Sequence, residues 1–382
     1  MPIIALPLHE VASLVVLIQA LIFAGVLSAP AFRDTGRTWF LVAALVILAT
    51  IKADQLYQAL GGLRHYPQFG FLLAPFQALM TPTLYLYVKA KTSSDIRLKR
   101  SDILHGAPFL FFLIYLFLIY YRLDASDKIA LLETGGFNAP LHRLVVPLVG
   151  DILQFCYVVA AYRRIEVYGV SLRNWFSHVE DLDLRWLKRL LMIWGCVFVV
   201  HATWTVAGGA FNAAGAARTV ITGLNIVHLM MANALMLMGV TQAMRPGAPP
   251  PAPANVEEKY KSSAMSAEER AALFEKAAAL AAAEQLFLDP DLTLKDLAAR
   301  TGATPRELSE AINGAGGKSF FEFVNAMRVD HAKKLLQEKP PKRILDVAYA
   351  SGFNSKTAFY DAFKRAVGQT PSGFRQSAGG AE

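Results

Sequence analysis

The chain has 382 residues, 54% of them hydrophobic and only 18% charged, with a mean hydropathy of +0.35. That is more apolar than an ordinary soluble protein, which excludes a single soluble enzyme core and points to a membrane part. Charge divides the chain as well: residues 1–245 hold 20 Lys/Arg against 13 Asp/Glu among long apolar runs, whereas 255–382 hold 18 against 17 and no such run, so two unlike domains follow. Cys156 and Cys196 both lie inside apolar runs and support neither a disulfide framework nor a Cys-based metal site.

A bilayer core of about 30 Å asks for roughly 20 mostly apolar residues per helix. Seven stretches meet that need, near 9–28, 39–60, 69–88, 104–121, 142–162, 187–207 and 220–243. Thirteen Lys/Arg follow spans one, three and five and five follow spans two, four and six, which places the N-terminus outside and the residues after 245 in the cytoplasm. His9 and Glu10 stand at the start of the first run with no basic residue before it, so this span is expected to be retained, not cleaved as a signal peptide.

Inside these spans sit polar groups that are costly in hydrocarbon: Lys52, Asp54, Gln77, Asp151, Gln154, His201, Asn225, His228 and Asn233. Lys52, Asp54, His201, Asn225 and His228 fall in the outer half of their spans, and Asp151 lies near the middle, the pattern of a signal-sensing pocket open to the outside. A plainer reading makes them contacts between helices, with Lys52 paired to Asp151. His201 and His228 lack the spacing of a metal site, and no cofactor or catalytic group is expected. Transport would call for repeats and broken helices, and neither is seen.

Residues 245–254, Arg-Pro-Gly-Ala-Pro-Pro-Pro-Ala-Pro-Ala, favour extended polyproline geometry and read as a semi-rigid spacer within a linker over 245–265. An Ala-rich helix begins after Ser266. From Thr293 the pattern is that of two short helices meeting at Gly302, which supplies the positive φ of a tight turn. The pattern recurs fifty residues later, where Val347, Ala348, Gly352 and Phe353 match Leu297, Ala298, Gly302 and Ala303. Between the copies, Ser319–Glu338 carries apolar residues at helical spacing and ends at Pro340-Pro341. Its length, about 30 Å at 1.5 Å per residue, is close to the roughly 34 Å between successive major grooves on one face of DNA. The fold class expected is therefore all-α: a seven-helix transmembrane bundle over 1–244, the linker, and an all-helical domain over 266–378 with two helix-turn-helix units joined by a long helix.

The stretch Arg343-Ile344-Leu345-Asp346-Val347-Ala348, then Ser351-Gly352-Phe353-Asn354-Ser355, Phe359, Phe363-Lys364, Gly368, Thr370-Pro371 and Phe374-Arg375, resembles the DNA-binding domain of the AraC/XylS family of bacterial transcription regulators. The resemblance covers about 30% of the chain, and the apolar half is similar in outline to membrane sensors fused to such domains. It implies two units reading adjacent major grooves of double-stranded DNA, in a multi-pass protein of the bacterial inner membrane whose DNA-binding domain faces the cytoplasm. Carried over by position, the first reading helix is Thr304 to Asn313 with Arg306, Ser309 and Glu310 toward the groove. The second is Ser355 to Val367 with Lys356, Thr357, Tyr360 and Asp361. Arg306 suits a bidentate contact to guanine and Glu310 an acceptor for cytosine N4, while Lys364, Arg365 and Arg375 suit phosphate or structural contacts.

Residues 255–327 hold 8 basic and 12 acidic side chains and 328–382 hold 10 and 5, so phosphate attraction is expected mainly from the second unit. The glycine-rich loop at 313–317 is expected to hold the first unit loosely. A tethered regulator, with a homodimer as one route of coupling, is the leading reading. The rival is a membrane-anchored protein-interaction module that has lost specific DNA binding. An enzyme is the remotest, since no phosphate loop, kinase or cyclase motif, or Ser/His/Asp spacing occurs.

Overall fold

The computed structural model describes residues 8–29, 38–93, 99–134, 141–180, 182–207, 214–243, 265–338 and 340–379. The linker residues 245–264 lie outside them, as do the side chains of Asn225 and His228. Among the described residues the fold is helical throughout, with one isolated β-bridge and no strand. The chain forms two compact units, Met1–Glu166 with Leu184–Ala252 and Val167–Asp183 with Pro253–Glu382.

The first unit contains α1 (Leu8–Ser28), α2 (Thr38–Ala59), α3 (Met80–Thr92), α4 (Ala107–Leu116), α5 (Ala125–Glu133), most of α6 (Val146–Trp175), α7 (Arg185–Ala207) and α8 (Ala214–Ala243). Helix α1 shows how these are built: Val16, Ala20, Ala24 and Leu27 recur at helical spacing and are buried, while Val15, Ile18, Ile22 and Val26 on the other side stay exposed. A helix apolar on its outer face as well as its inner one suits hydrocarbon, not water. Gly239 allows α8 to approach α2, since a Cβ there would meet the Leu41 side chain at 2.6 Å. Arg164 ties α6 to the end of α3 through Thr92 Oγ1 at 2.8 Å and Ser93 Oγ at 2.6 Å.

Among the described residues, six segments are long and apolar enough to cross a membrane, Glu10–Ser28, Thr38–Ala59, Pro67–Thr92, Arg100–Tyr121, Val146–Trp175 and Arg185–Ala207. The seventh expected span falls on α8, where the apolar stretch among the described residues is the shorter Leu229–Thr241. Arg218, Thr219, Thr222, Asn225 and His228 interrupt the apolar run before it. The third span is also not one regular helix. It enters through 3₁₀ turns at Pro67–Phe69 and Ala74–Leu79 before α3, because Pro67 and Pro75 remove backbone donors and Phe71 adopts φ 58°. Gly70 in this bend is packed so closely that a Cβ would meet Tyr120 Oη at 2.5 Å.

The second unit contains α9 (Ala267–Ala283), α10 (Leu294–Thr301), α11 (Pro305–Gly314), α12 (Phe320–Gln337), α13 (Ile344–Ala350), α14 (Lys356–Val367) and α15 (Pro371–Gly379). Four of these helices start alike. Ser266, Thr293, Thr304 and Ser319 each cap the amide three residues on, and Glu269, Asp296, Glu307 and Glu322 each bond back to the cap's own amide. This reciprocal box satisfies donors that a helix start otherwise leaves open. Two apolar cores follow, one joining α9, α10, α11 and the first half of α12, the other joining the second half of α12 to α13 and α14.

The unit also includes residues 167–183, which contiguous division of the sequence assigns to the apolar half. Trp175 packs against the first core, Phe176 bridges to Thr293, and the Ser177 amide donates to Leu292 O at 3.3 Å.

Candidate nucleic-acid interface

The two helix pairs, α10 with α11 and α13 with α14, are built on one local plan. Gly302 and Gly352 both take the left-handed conformation, with φ 75° and 80°. The amide that follows each glycine closes the same bond: Ala303 N to Ala298 O and Phe353 N to Ala348 O, both 3.1 Å. Leu297 and Ala298, like Val347 and Ala348, are wholly buried, so the small alanine lets the second helix of each pair approach. Thr304 and Ser355 then cap α11 and α14. The connecting helix α12 has 18 residues, about 27 Å of rise, and contributes one end to each core.

The expected reading residues are placed unequally. On α14, Lys356, Thr357, Asp361 and Lys364 are exposed and Tyr360 half-buried, with spacings that put them on one face. The Lys356 ammonium lies 5.5 Å from the centre of the Tyr360 ring. On α11, Arg306 is exposed and Ser309 half-buried, with Ser309 receiving bonds from Asn313 Nδ2 at its carbonyl (2.7 Å) and hydroxyl (3.3 Å). Glu310 departs from expectation. It is 5% exposed and held by Arg270 Nη1 of α9 at 3.2 Å, so it joins helices inside the unit and is not presented to a base edge.

The acidity of residues 255–327 has the same kind of origin. Glu269, Asp296, Glu307 and Glu322 serve as helix caps, Glu310 pairs with Arg270, and Glu284 pairs with Arg300. Hydrogen bonds from the Ser319 backbone hold the Glu322 carboxyl below the ordinary glutamate range, and those from Thr304 do the same for Glu307. Much of the negative charge in this half is thus used to start helices.

Arg328 was not singled out from sequence. It sits on α12 at 2% exposure and donates from Nε to Phe287 O (2.7 Å), from Nη2 to Asp289 O (2.7 Å) and Ser177 Oγ (3.1 Å), and from Nη1 to Ser177 O (3.2 Å). Burial pulls its guanidinium down to about 10, which leaves it charged at neutral pH. Its place on the apolar face, four residues after Val324 and four before Ala332, was a legible signal of a structural arginine. Its partner Ser177 was not, because 151 residues separate the two.

In the first unit, three of the six polar residues expected to sense a signal come together. Lys52, Asp151 and His201 line one cavity of about 390 Å³, and His201 Nδ1 lies 2.7 Å from Asp151 Oδ2. The pairing of Lys52 with Asp151 does not form: Lys52 Nζ donates to Gln55 Oε1 at 2.9 Å. Asp54 accepts from Gln58 Nε2 at 2.7 Å and is not part of this lining. Asn225 and His228 lie outside the described side chains. A neighbouring cavity of about 360 Å³ shares Gln77, Asp151, Gln154 and His201 with the first. Among the described residues no three His, Cys, Asp or Glu side chains gather as a metal site would require.

Residues 297–377 match the family described as Helix-turn-helix domain. Among curated proteins, the HTH-type transcriptional regulator GlxA of Rhizobium meliloti is 37% identical over 83 residues, 22% of this chain and 25% of that protein. An uncharacterized HTH-type transcriptional regulator of Staphylococcus aureus is 33% identical over 91 residues, 24% of this chain and 12% of that protein. The chain thus spans a quarter or less of the length of these relatives, and no solved structure matches it. The C-terminal part of the chain carries an AraC-type helix-turn-helix domain and is similar there to proteins named as transcriptional regulators.

Proposed function

We propose that the chain is a membrane-tethered, one-component transcription regulator. The second unit binds promoter DNA by placing α11 and α14 in adjacent major grooves, and the apolar unit answers to a signal at or within the inner membrane. The observation that carries this reading is the doubling of one turn. Two glycines at φ 75° and 80°, two identical closing bonds and two capped helices with exposed polar faces stand at the ends of one connecting helix. Arg306 reads a guanine, Lys364 contacts phosphate, and Lys356, Thr357, Tyr360 and Asp361 make the second reading face.

The test uses the full chain in lipid nanodiscs, selecting from random duplexes and repeating the winning sequence across salt. Two short elements about one helical turn apart, bound with a clear salt slope, are expected. A full chain that enriches no sequence at any salt refutes the reading and favours the protein-interaction module.

A further inference from the structure

The cavity in the first unit has an electrostatic asymmetry. Two of its polar groups answer each other, since Asp151 Oδ2 lies 2.7 Å from His201 Nδ1. Lys52 is different. It is 6% exposed and lines the cavity, and among the described residues its hydrogen-bond partner is the neutral amide of Gln55. The Glu10 carboxylate acts on it through space. An ammonium carries three donors, so after one bond to Gln55 it retains two for a further acceptor. Burying a charge away from water with no anion bonded to it is costly, and filling the cavity with an anion removes that cost. Much of the remaining wall is apolar, with Leu48, Ile51, Trp194, Phe198 and Leu235 in it, and a volume of about 390 Å³ is in the usual range for a small-molecule site.

We infer that this cavity binds an amphiphilic anion, a molecule with one apolar chain or ring system and an acidic head that bonds to Lys52. The inference rests on the reading of the apolar unit as a sensor and names the chemistry of what it senses. The head accepts from Lys52 Nζ while its tail lies against Trp194 and Phe198. The amides of Gln55, Gln77 and Gln154 on the same lining are polar groups that orient the head. A free carboxylic amphiphile and an anionic phospholipid offer the same chemistry, and the experiment separates them.

The full chain is reconstituted in nanodiscs of phosphatidylcholine alone, and equilibrium binding of radiolabelled decanoate, decanol and decyltrimethylammonium is compared after subtraction of empty discs. Decanoate is expected to bind saturably and about tenfold more tightly than decanol, the worth of a charge-assisted hydrogen bond, and the cation not at all. Lys52→Gln should erase the preference for decanoate over decanol. Leu235→Trp, which fills the cavity and leaves Lys52 in place, should abolish saturable binding of both, and a thermal melt of each variant confirms that it is folded. In discs containing phosphatidylglycerol, loss of decanoate binding identifies lipid as the occupant, and unchanged binding identifies a free acid; each supports an anion site. Equal binding of all three probes, a preference for the cation, or a preference for decanoate that survives Lys52→Gln overturns the inference. No DNA enters this assay, so an anion site that leaves promoter affinity unchanged would stand while the regulatory reading fell.

Discussion

Gly302 and Gly352 share a backbone conformation but not an environment. A Cβ at Gly302 would meet nothing within 4 Å, whereas one at Gly352 would meet Phe287 O at 2.5 Å and the Leu288 backbone at 2.9 Å. Gly302→Ala is therefore expected to cost about 1 kcal/mol, the strain of a left-handed alanine alone, and Gly352→Ala about 3 kcal/mol or more, because backbone must also move. Chemical denaturation of the two variants checks the order. On the exposed faces, Lys364→Ala should weaken binding to all sequences alike and lower the salt slope by about one, while Arg306→Ala should cost about 1–3 kcal/mol on the preferred operator and relax one base position. Glu310→Gln should lower stability through Arg270 and leave base preference unchanged, read by repeating the selection with the variant.

The helix starts make the second unit sensitive to acid in a definite direction. A carboxyl held below its unfolded value by hydrogen bonds, as Glu322 is by Ser319, contributes stability that is fully present above the ordinary glutamate range and is lost as pH falls through the lower folded value. Unfolding midpoints measured from neutral pH downward should drop through that range, and Glu322→Gln should flatten part of the fall. At Arg328, Ser177→Ala removes the hydroxyl that accepts from Nη2 and donates to Leu292 O at 2.7 Å, while the carbonyls of Phe287, Asp289 and Ser177 stay paired, and should cost about 1–2 kcal/mol. Arg328→Met leaves the carbonyls of Phe287 and Ser177 without their guanidinium donor, while Asp289 O keeps the Leu292 amide at 3.3 Å, and should cost about 3 kcal/mol or more. Hydrogen exchange should then rise both at 175–178 and at 287–292, since the one guanidinium bonds both segments.

For the molecule as a whole, DNA binding demands that the residues after 245 face the cytoplasm. Reporters that are active on one side only, fused after residues 100, 135 and 250, should report inside, outside and inside. Outside activity at 250 would make promoter binding untenable. The two charge distributions also act separately. The apolar half carries its Lys/Arg excess around the ends of its apolar runs, the distribution expected to orient spans, and the second half uses its acidic groups in caps and internal pairs. An acidic total over 255–327 is therefore compatible with DNA binding by the faces that carry Arg306 and Lys356.

Local patterns determined the division into apolar and polar halves, the long helix over 320–337, and the two glycine turns, because periodicity, caps and positive-φ glycines act over a few residues and are written in order along the chain. The reading faces proposed on α11 and α14 rest on the family resemblance, carried over by position. Tertiary structure alone decided that Glu310 turns inward to Arg270, that Asp151 takes His201 and leaves Lys52 to Gln55, and that residues 167–183 join the second unit through Ser177 and Arg328. Each of those outcomes depends on which of several polar groups is nearest after packing, at separations of 40, 50 and 151 residues for the three long-range pairs. Sequence spacing carries no information on that competition, since a buried charge takes whatever partner the packed helices bring within reach.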